Sequence, residues 1–129
     1  MLLRGGLQMP YKILVVDDEA DIREILEHIL LRSGYEIDTA ADGQIAFEKI
    51  QIQKPDLVIT DIRMPHCNGY ELLKKISTLT PPRIPVLFVS GYTDGHENYT
   101  NNDPNFIGVL SKPVSTKDLL ATVKNIQLL

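Results

Sequence analysis

Lys12-Ile13-Leu14-Val15-Val16-Asp17-Asp18-Glu19 sets an unbroken apolar run directly against three acids, and its reading decides the fold. A strand with one wet face alternates apolar and polar residues, so a short continuous run fits a strand covered on both faces. Leu57-Val58-Ile59 and Val86-Leu87-Phe88-Val89 have the same character. Strands are therefore expected at Lys12 to Val16, Leu57 to Thr60 and Val86 to Ser90, in the middle of a sheet. Less apolar ones are expected at Glu36 to Ala40 and Ile107 to Ser111.

Amphipathic segments alternate with these runs, which is the pattern of strand–helix units around a parallel sheet. The clearest helix spans about Ala20 to Ser33, where Ile22, Ile25, Leu26, Ile29 and Leu30 form an i, i+3, i+4, i+7, i+8 stripe and Gly34 stands at the C′ position. A second helix carries Ala46, Phe47 and Ile50 on one face, and a third carries Leu72, Leu73, Ile76 and Leu79. The last begins at Ser115, with Asp118 at capping-box spacing and a stripe of Leu119, Val123 and Ile126. The alternation also predicts a helix across Gly95 to Pro104, but only Tyr99 there can anchor one to a core. Asn, Thr and Gly form helices poorly, so this fourth helix is expected to be short or irregular.

A chain of 129 residues fits one domain, with residues 1–9 expected to be a flexible leader and residues 10–129 the folded unit. Hydrophobic residues make up 43% and charged residues 23%, a balance that excludes a disordered or membrane-embedded chain. The net charge of -4 offers no general attraction to nucleic acid or anionic lipid, so neither is expected as a direct partner. The single cysteine, Cys67, cannot form an internal disulfide, and no apolar stretch resembles a signal peptide or a membrane span. A cytoplasmic location fits these features.

In an open parallel sheet, ligands bind beyond the carboxyl ends of the strands. Asp17, Asp18 and Glu19 follow the first run, Asp61 the third, Ser90 and Gly91 the fourth, and Lys112 and Pro113 the fifth. Carboxylates crowded together need a cation, and Mg²⁺ takes oxygen ligands while keeping waters for substrate oxygens. Asp18 and Asp61 are the expected direct ligands, with Asp17 positioning through water and the backbone carbonyl of Arg63 adding a further oxygen. A carboxylate also attacks phosphorus to give an acyl phosphate. Lys112 and Mg²⁺ would then offset charge on the phosphoryl oxygens, and the Ser90 hydroxyl would donate to one of them. The competing reading of Asp17 and Asp18 as a helix N-cap requires only one acid and leaves Asp61 unexplained. His28, His66, His96 and Cys67 lack metal-ligand spacing, which points to surface or packing roles.

Leu14-Val15-Val16-Asp17-Asp18-Glu19, Asp61-Ile62-Arg63-Met64-Pro65 through Gly69, Val89-Ser90-Gly91 and Lys112-Pro113 together resemble the receiver domains of two-component response regulators. The similarity covers about residues 11 to 127 in the right order. It implies a flavodoxin-like α/β fold, with a five-stranded parallel sheet in the order 2-1-3-4-5 and helices on both faces. It implies a cis bond between Lys112 and Pro113. It also implies a switch that takes a phosphoryl group onto Asp61 from a sensor histidine kinase or histidine phosphotransfer protein, then presents a changed surface to a downstream protein. Such a domain catalyses only its own phosphorylation and dephosphorylation, as a monomer or weak dimer.

Receivers commonly carry Tyr or Phe three residues before the lysine, and here that residue is Val109, so no ring rotation can accompany movement of Ser90. A further expectation is that Tyr92 and Arg63 shield the acyl phosphate from water. Three rival readings fit these residues less well. A degenerate receiver would bind partners without phosphorylation, but every site residue is present. An aspartate-nucleophile phosphatase would carry an acid where Arg63 stands. A flavin carrier would not place Asp17-Asp18-Glu19 against a phosphate.

Overall fold

The three unbroken apolar runs become the three central strands of one parallel sheet. In the computed structural model, which describes residues 10–79, 83–91 and 102–129, the strands are β1 (Lys12–Val16), β2 (Glu36–Ala40), β3 (Leu57–Asp61), β4 (Val86–Ser90) and β5 (Phe106–Ser111). The helices among the described residues are α1 (Ala20–Arg32), α2 (Gly43–Gln53), α3 (Gly69–Ser77) and α4 (Thr116–Gln127). The sheet order is β2-β1-β3-β4-β5, as the resemblance implied, with every pairing parallel. Strand boundaries differ from expectation at two places. β3 runs one residue further because Asp61 still pairs with Val89, and β5 starts one earlier because Phe106 pairs with Val86.

Alternation along the strands divides the core into two layers, one on each face. Leu14, Val16, Val58, Val86 and Phe88 point toward Ala46 and Ile50 of α2 and Leu72, Leu73 and Ile76 of α3. Their neighbours Ile13, Val15, Leu57, Ile59, Leu87 and Val89 point toward Leu26 and Leu30 of α1 and Leu119, Val123 and Ile126 of α4. Both faces of the central strands are therefore covered, which is why their sequences do not alternate. No helix among the described residues is long and apolar enough to cross a membrane.

Local signals set the helix ends. α1 closes in a Schellman motif: Tyr35 N–H donates to the Leu30 carbonyl at 3.2 Å and Gly34 N–H to Leu31 at 3.0 Å, with Gly34 at φ 94°. Ser115 caps α4 by accepting from Asp118 N–H at 3.0 Å. α3 opens on a capping box that the sequence reading did not identify, in which Asn68 and Glu71 exchange backbone and side-chain bonds. The apolar stripe of α1 is narrower than expected: Leu26 and Leu30 are buried and Ile22 and Ile29 half-buried, but Ile25 is 55% exposed. At roughly 100° per residue Ile25 lies at the rim of that stripe, beyond the reach of the sheet.

The helix expected across 95–104 falls largely outside the described residues, as do the leader at 1–9, Tyr92 and His96. Asn102 to Asn105 form a turn in which Asp103 accepts from Asn105 N–H at 2.8 Å and from Phe106 N–H at 3.2 Å. β5 then contains a bulge. Val86 pairs with Phe106 but Leu87 with Gly108, so Ile107 is an extra residue with no opposite number.

At the sheet end away from the acids, Tyr11 and Tyr35 meet edge to face at 5.8 Å between centroids. Burial, helped by the charges of Asp56 and Tyr35, pushes the Tyr11 hydroxyl up to about 12. A folded-state value above the unfolded one means that the neutral ring stabilises the fold fully below the ordinary tyrosine value. That contribution is lost as pH rises through about 12. Burial raises the Tyr35 hydroxyl as well, so tyrosinate absorbance is expected to show two late-titrating rings, of which Tyr11→Phe removes one. A wild-type curve identical to that of the variant, apart from one ordinary tyrosine, would contradict this.

Candidate functional site

Four strands deliver their C-terminal residues to one rim of the sheet, where the Lys112 amine meets the Asp17 and Asp61 carboxylates. Asp17 follows β1 and is 1% exposed, Asp61 ends β3 at 8%, and Ser90 ends β4 at 2%. Lys112 follows β5 on a cis Lys112–Pro113 bond, as the resemblance implied. Its Nζ lies 3.1 Å from Asp17 Oδ2, 3.3 Å from Asp61 Oδ2 and 3.9 Å from Glu19 Oε1. Lys112 N–H donates to the Ser90 carbonyl at 2.9 Å, which ties the amine's backbone to β4.

The acidic turn after β1 is held from several sides. Asp17 N–H donates to the Ala40 carbonyl at 3.1 Å, and Asp17 Oδ1 accepts from Glu19 N–H at 2.9 Å. Neither Asp17 nor Asp18 is the N-cap of α1: that position is Glu19, whose side chain makes no capping bond. The capping alternative therefore fails for both acids. One carboxylate oxygen from each of Asp17, Asp18 and Glu19 lies within 4.8 Å of the other two. Asp17 is buried while Asp18 and Glu19 are exposed, so the cluster opens to solvent. An all-carboxylate set with a wet side suits a hard divalent cation that retains waters, and the residues present fit Mg²⁺. The contribution of Glu19 to this cluster and to Lys112 was not anticipated, although it stands in the same acidic run.

Asp61 is positioned by β3 and by the turn after it. Its Oδ1 accepts from Ile62 N–H at 2.8 Å, and its carbonyl accepts from the buried Thr60 hydroxyl at 2.8 Å. Gly69 starts α3 against this turn, where a Cβ would come within 2.6 Å of the Asp61 carbonyl oxygen and 2.9 Å of Ile62 Cα. Only a residue without a side chain allows that approach. Arg63 is exposed, and His28 and His66 are also exposed, whereas Cys67 is buried in the core layer beside α2. Val109, at the position commonly aromatic in receivers, is half-buried and packed against that same layer.

The charges respond to this crowding in opposite senses. Burial and the neighbouring Asp17 push the Asp61 carboxyl above its ordinary value, with Lys112 and Ile62 N–H pulling it partly back. Burial works against the charged form of Lys112, but Asp17 and then Asp61 outweigh it and raise the amine above its ordinary value. Asp61 is thus costly to charge in the metal-free protein, while Lys112 is held firmly as the ammonium. The rim combines a carboxylate that resists ionisation, a fixed cation and an open cluster of acids.

The family model for the response regulator receiver domain matches residues 13–124. A probable transcriptional regulator, ycf27, of Cyanophora paradoxa is 36% identical over 115 residues, which is 89% of this chain and 47% of that protein. The alkaline phosphatase synthesis transcriptional regulatory protein PhoP of Bacillus subtilis is 34% identical over 118 residues, covering 92% of this chain and 49% of that one. The chain therefore spans about half the length of the curated relatives it matches. Among solved structures, the chemotaxis response regulator CheY4 of Vibrio cholerae superposes with a TM-score of 0.83 at 32% identity, over 92% of this chain and 99% of that one. With the sheet order, the rim of acids and lysine, and a family match across most of its length, the chain belongs to the response regulator receiver domain family.

Proposed function

We propose that this receiver accepts a phosphoryl group on Asp61 from a phosphohistidine of a sensor histidine kinase or histidine phosphotransfer protein. The observation that carries the assignment is the single ammonium of Lys112, 3.1 Å from Asp17 and 3.3 Å from Asp61 at the mouth of the acidic cluster. An Asp61 carboxylate oxygen attacks phosphorus, the new O–P bond forms as the donor's N–P bond breaks, and the electron pair leaves with the imidazole nitrogen. The product is an acyl phosphate on Asp61. Ile62 N–H, bonded to Oδ1, fixes the rotation of the nucleophile. Lys112 offsets charge on the phosphoryl oxygens, and the Ser90 hydroxyl donates to one of them.

Asp18 and Asp61 would hold Mg²⁺, with Asp17 acting through water and the Arg63 carbonyl adding an oxygen, and the bound ion would supply charge neutralisation for the phosphoryl group. Water must be kept from the acyl phosphate, and Arg63 stands two residues beyond it. The phosphorylated rim alters the surface offered to a downstream protein, with Ser90 moving and Val109 taking no part by ring rotation. We place this activity in the cytoplasm, with no direct contact with nucleic acid, in a monomer or weak dimer. Supporting it is a net charge of -4, with no membrane-length apolar helix among the described residues.

The test is a mass measurement after incubation with a small acyl-phosphate donor. A gain of one phosphoryl group that requires Mg²⁺ and disappears with a chelator is expected. No gain under any metal condition would instead favour a binding module that works without phosphorylation.

A further inference from the structure

The carbonyl of Asp17 lies in an awkward place. β1 pairing ends at Val16, and the first intrahelical bond of α1 runs from Arg23 N–H to the Glu19 carbonyl at 3.1 Å. The Asp17 carbonyl falls between the two, and among the described residues no backbone N–H reaches it. An acceptor of this kind beside a buried residue needs a partner. It finds one in Arg23, half-buried in α1, whose Nη1 returns to the Asp17 carbonyl at 2.7 Å.

That bond fixes more than one oxygen. The Asp17 carbonyl belongs to the peptide plane joining Asp17 to Asp18, so clamping it sets the direction in which the Asp18 backbone and carboxylate depart. The turn is then pinned at three points: Asp17 N–H on Ala40, the Asp17 carbonyl on Arg23, and Asp17 Oδ1 on Glu19 N–H. A charged donor at 2.7 Å makes the Arg23 link stronger than a neutral one would be. The guanidinium also brings positive charge to a turn carrying three carboxylates that repel one another.

We infer that Arg23 is a positioning residue for the cation and phosphoryl site, holding the β1–α1 turn so that Asp17, Asp18 and Glu19 keep their shared orientation. The inference rests on the phosphoacceptor reading above. Arg23 touches neither the nucleophile nor the transferred group. Its influence passes through the Asp17–Asp18 peptide, much as an outer-shell partner orients a metal ligand.

Arg23→Gln keeps a helix-forming polar side chain but is too short to make the bond, and Arg23→Lys keeps the charge without the planar fork. Mg²⁺ binding by calorimetry is expected to weaken about 10- to 100-fold in Arg23→Gln, with Arg23→Lys intermediate. In metal-free protein the Glu19 amide should exchange with solvent faster in Arg23→Gln, while the buried Leu30 amide in the same helix is unchanged. A merely structural role would lower the melting temperature and leave both readings alone. Equal Mg²⁺ affinity in wild type and Arg23→Gln overturns the inference. Should Arg23→Gln fail to fold, Arg23→Lys decides: weaker Mg²⁺ binding supports the inference, and wild-type affinity overturns it. If wild type itself bound no Mg²⁺ and gained no phosphoryl group, the phosphoacceptor reading would fall and take this inference with it. A wild type that does both beside an unimpaired variant defeats only the role of Arg23.

Discussion

Lys112→Met is expected to lower the stability of the metal-free protein by about 2–4 kcal/mol and to slow phosphoryl gain by about 10²- to 10³-fold. The reason is the geometry around one nitrogen. Asp17 and Asp61 have side chains only 2% and 11% exposed, and each has an oxygen within 3.3 Å of the same ammonium. Without it, two poorly solvated carboxylates face each other with no counter-charge, a greater loss than a surface pair incurs. The lysine is itself one-fifth exposed, so the estimate stays below the upper end for a fully buried pair. Added Mg²⁺ should narrow the deficit, because a ligand bound only by the folded state raises its stability by mass action. Denaturant melts with and without Mg²⁺ provide the check, and a variant as stable as wild type without metal would refute the argument.

The second large effect separates function from stability. Asp61→Asn is expected to show no phosphoryl gain at all, since the nucleophilic carboxylate is gone, yet to melt at a higher temperature than wild type in metal-free buffer near neutral pH. Asp61 has a raised folded-state value, caused first by burial and then by Asp17. Such a group contributes stability below its unfolded value and loses that contribution as pH rises through the folded one, so at neutral pH its charge is a burden. Asparagine keeps the shape without the charge. The stability gap should close as pH falls and wild-type Asp61 becomes protonated. A variant less stable than wild type at neutral pH would show that the pairing with Lys112 outweighs the repulsion from Asp17.

Both effects trace to residues that could be placed from sequence because of where strands end. Ile13 to Val16, Leu57 to Ile59 and Val86 to Val89 identify themselves as buried strands by their lack of alternation, and whatever follows them must meet at one rim. Asp17, Asp61, Ser90 and Lys112 were legible on that ground. Other features depended on contacts between distant segments. Gly43 packs so closely on Cys67 that a Cβ would lie 2.5 Å from the Cys67 carbonyl oxygen, and nothing near either residue announces it. Ile25 fits the period of its helix and still faces solvent, since periodicity gives a direction but not the width of the surface it meets. The Asn68 and Glu71 spacing was a readable cap hidden behind the turn at Met64-Pro65.

The extra residue at Ile107 has an effect along all of β5. Side chains on a strand change sides at every step, so residues three apart belong on opposite sides. Phe106 and Val109 are three apart, yet both lie in the layer with Phe88, and the Phe106 ring sits 5.5 Å from that of Phe88. Ile107 turns an odd count into an even one. Were β5 regular, with Ile107 opposite Val86 and Lys112 still anchored to Ser90, Phe106 would be inverted, its ring sent from the α2–α3 side of the molecule to the α1–α4 side and Phe88 left without that aromatic neighbour, whereas deleting Ile107 would keep Phe106 where it is.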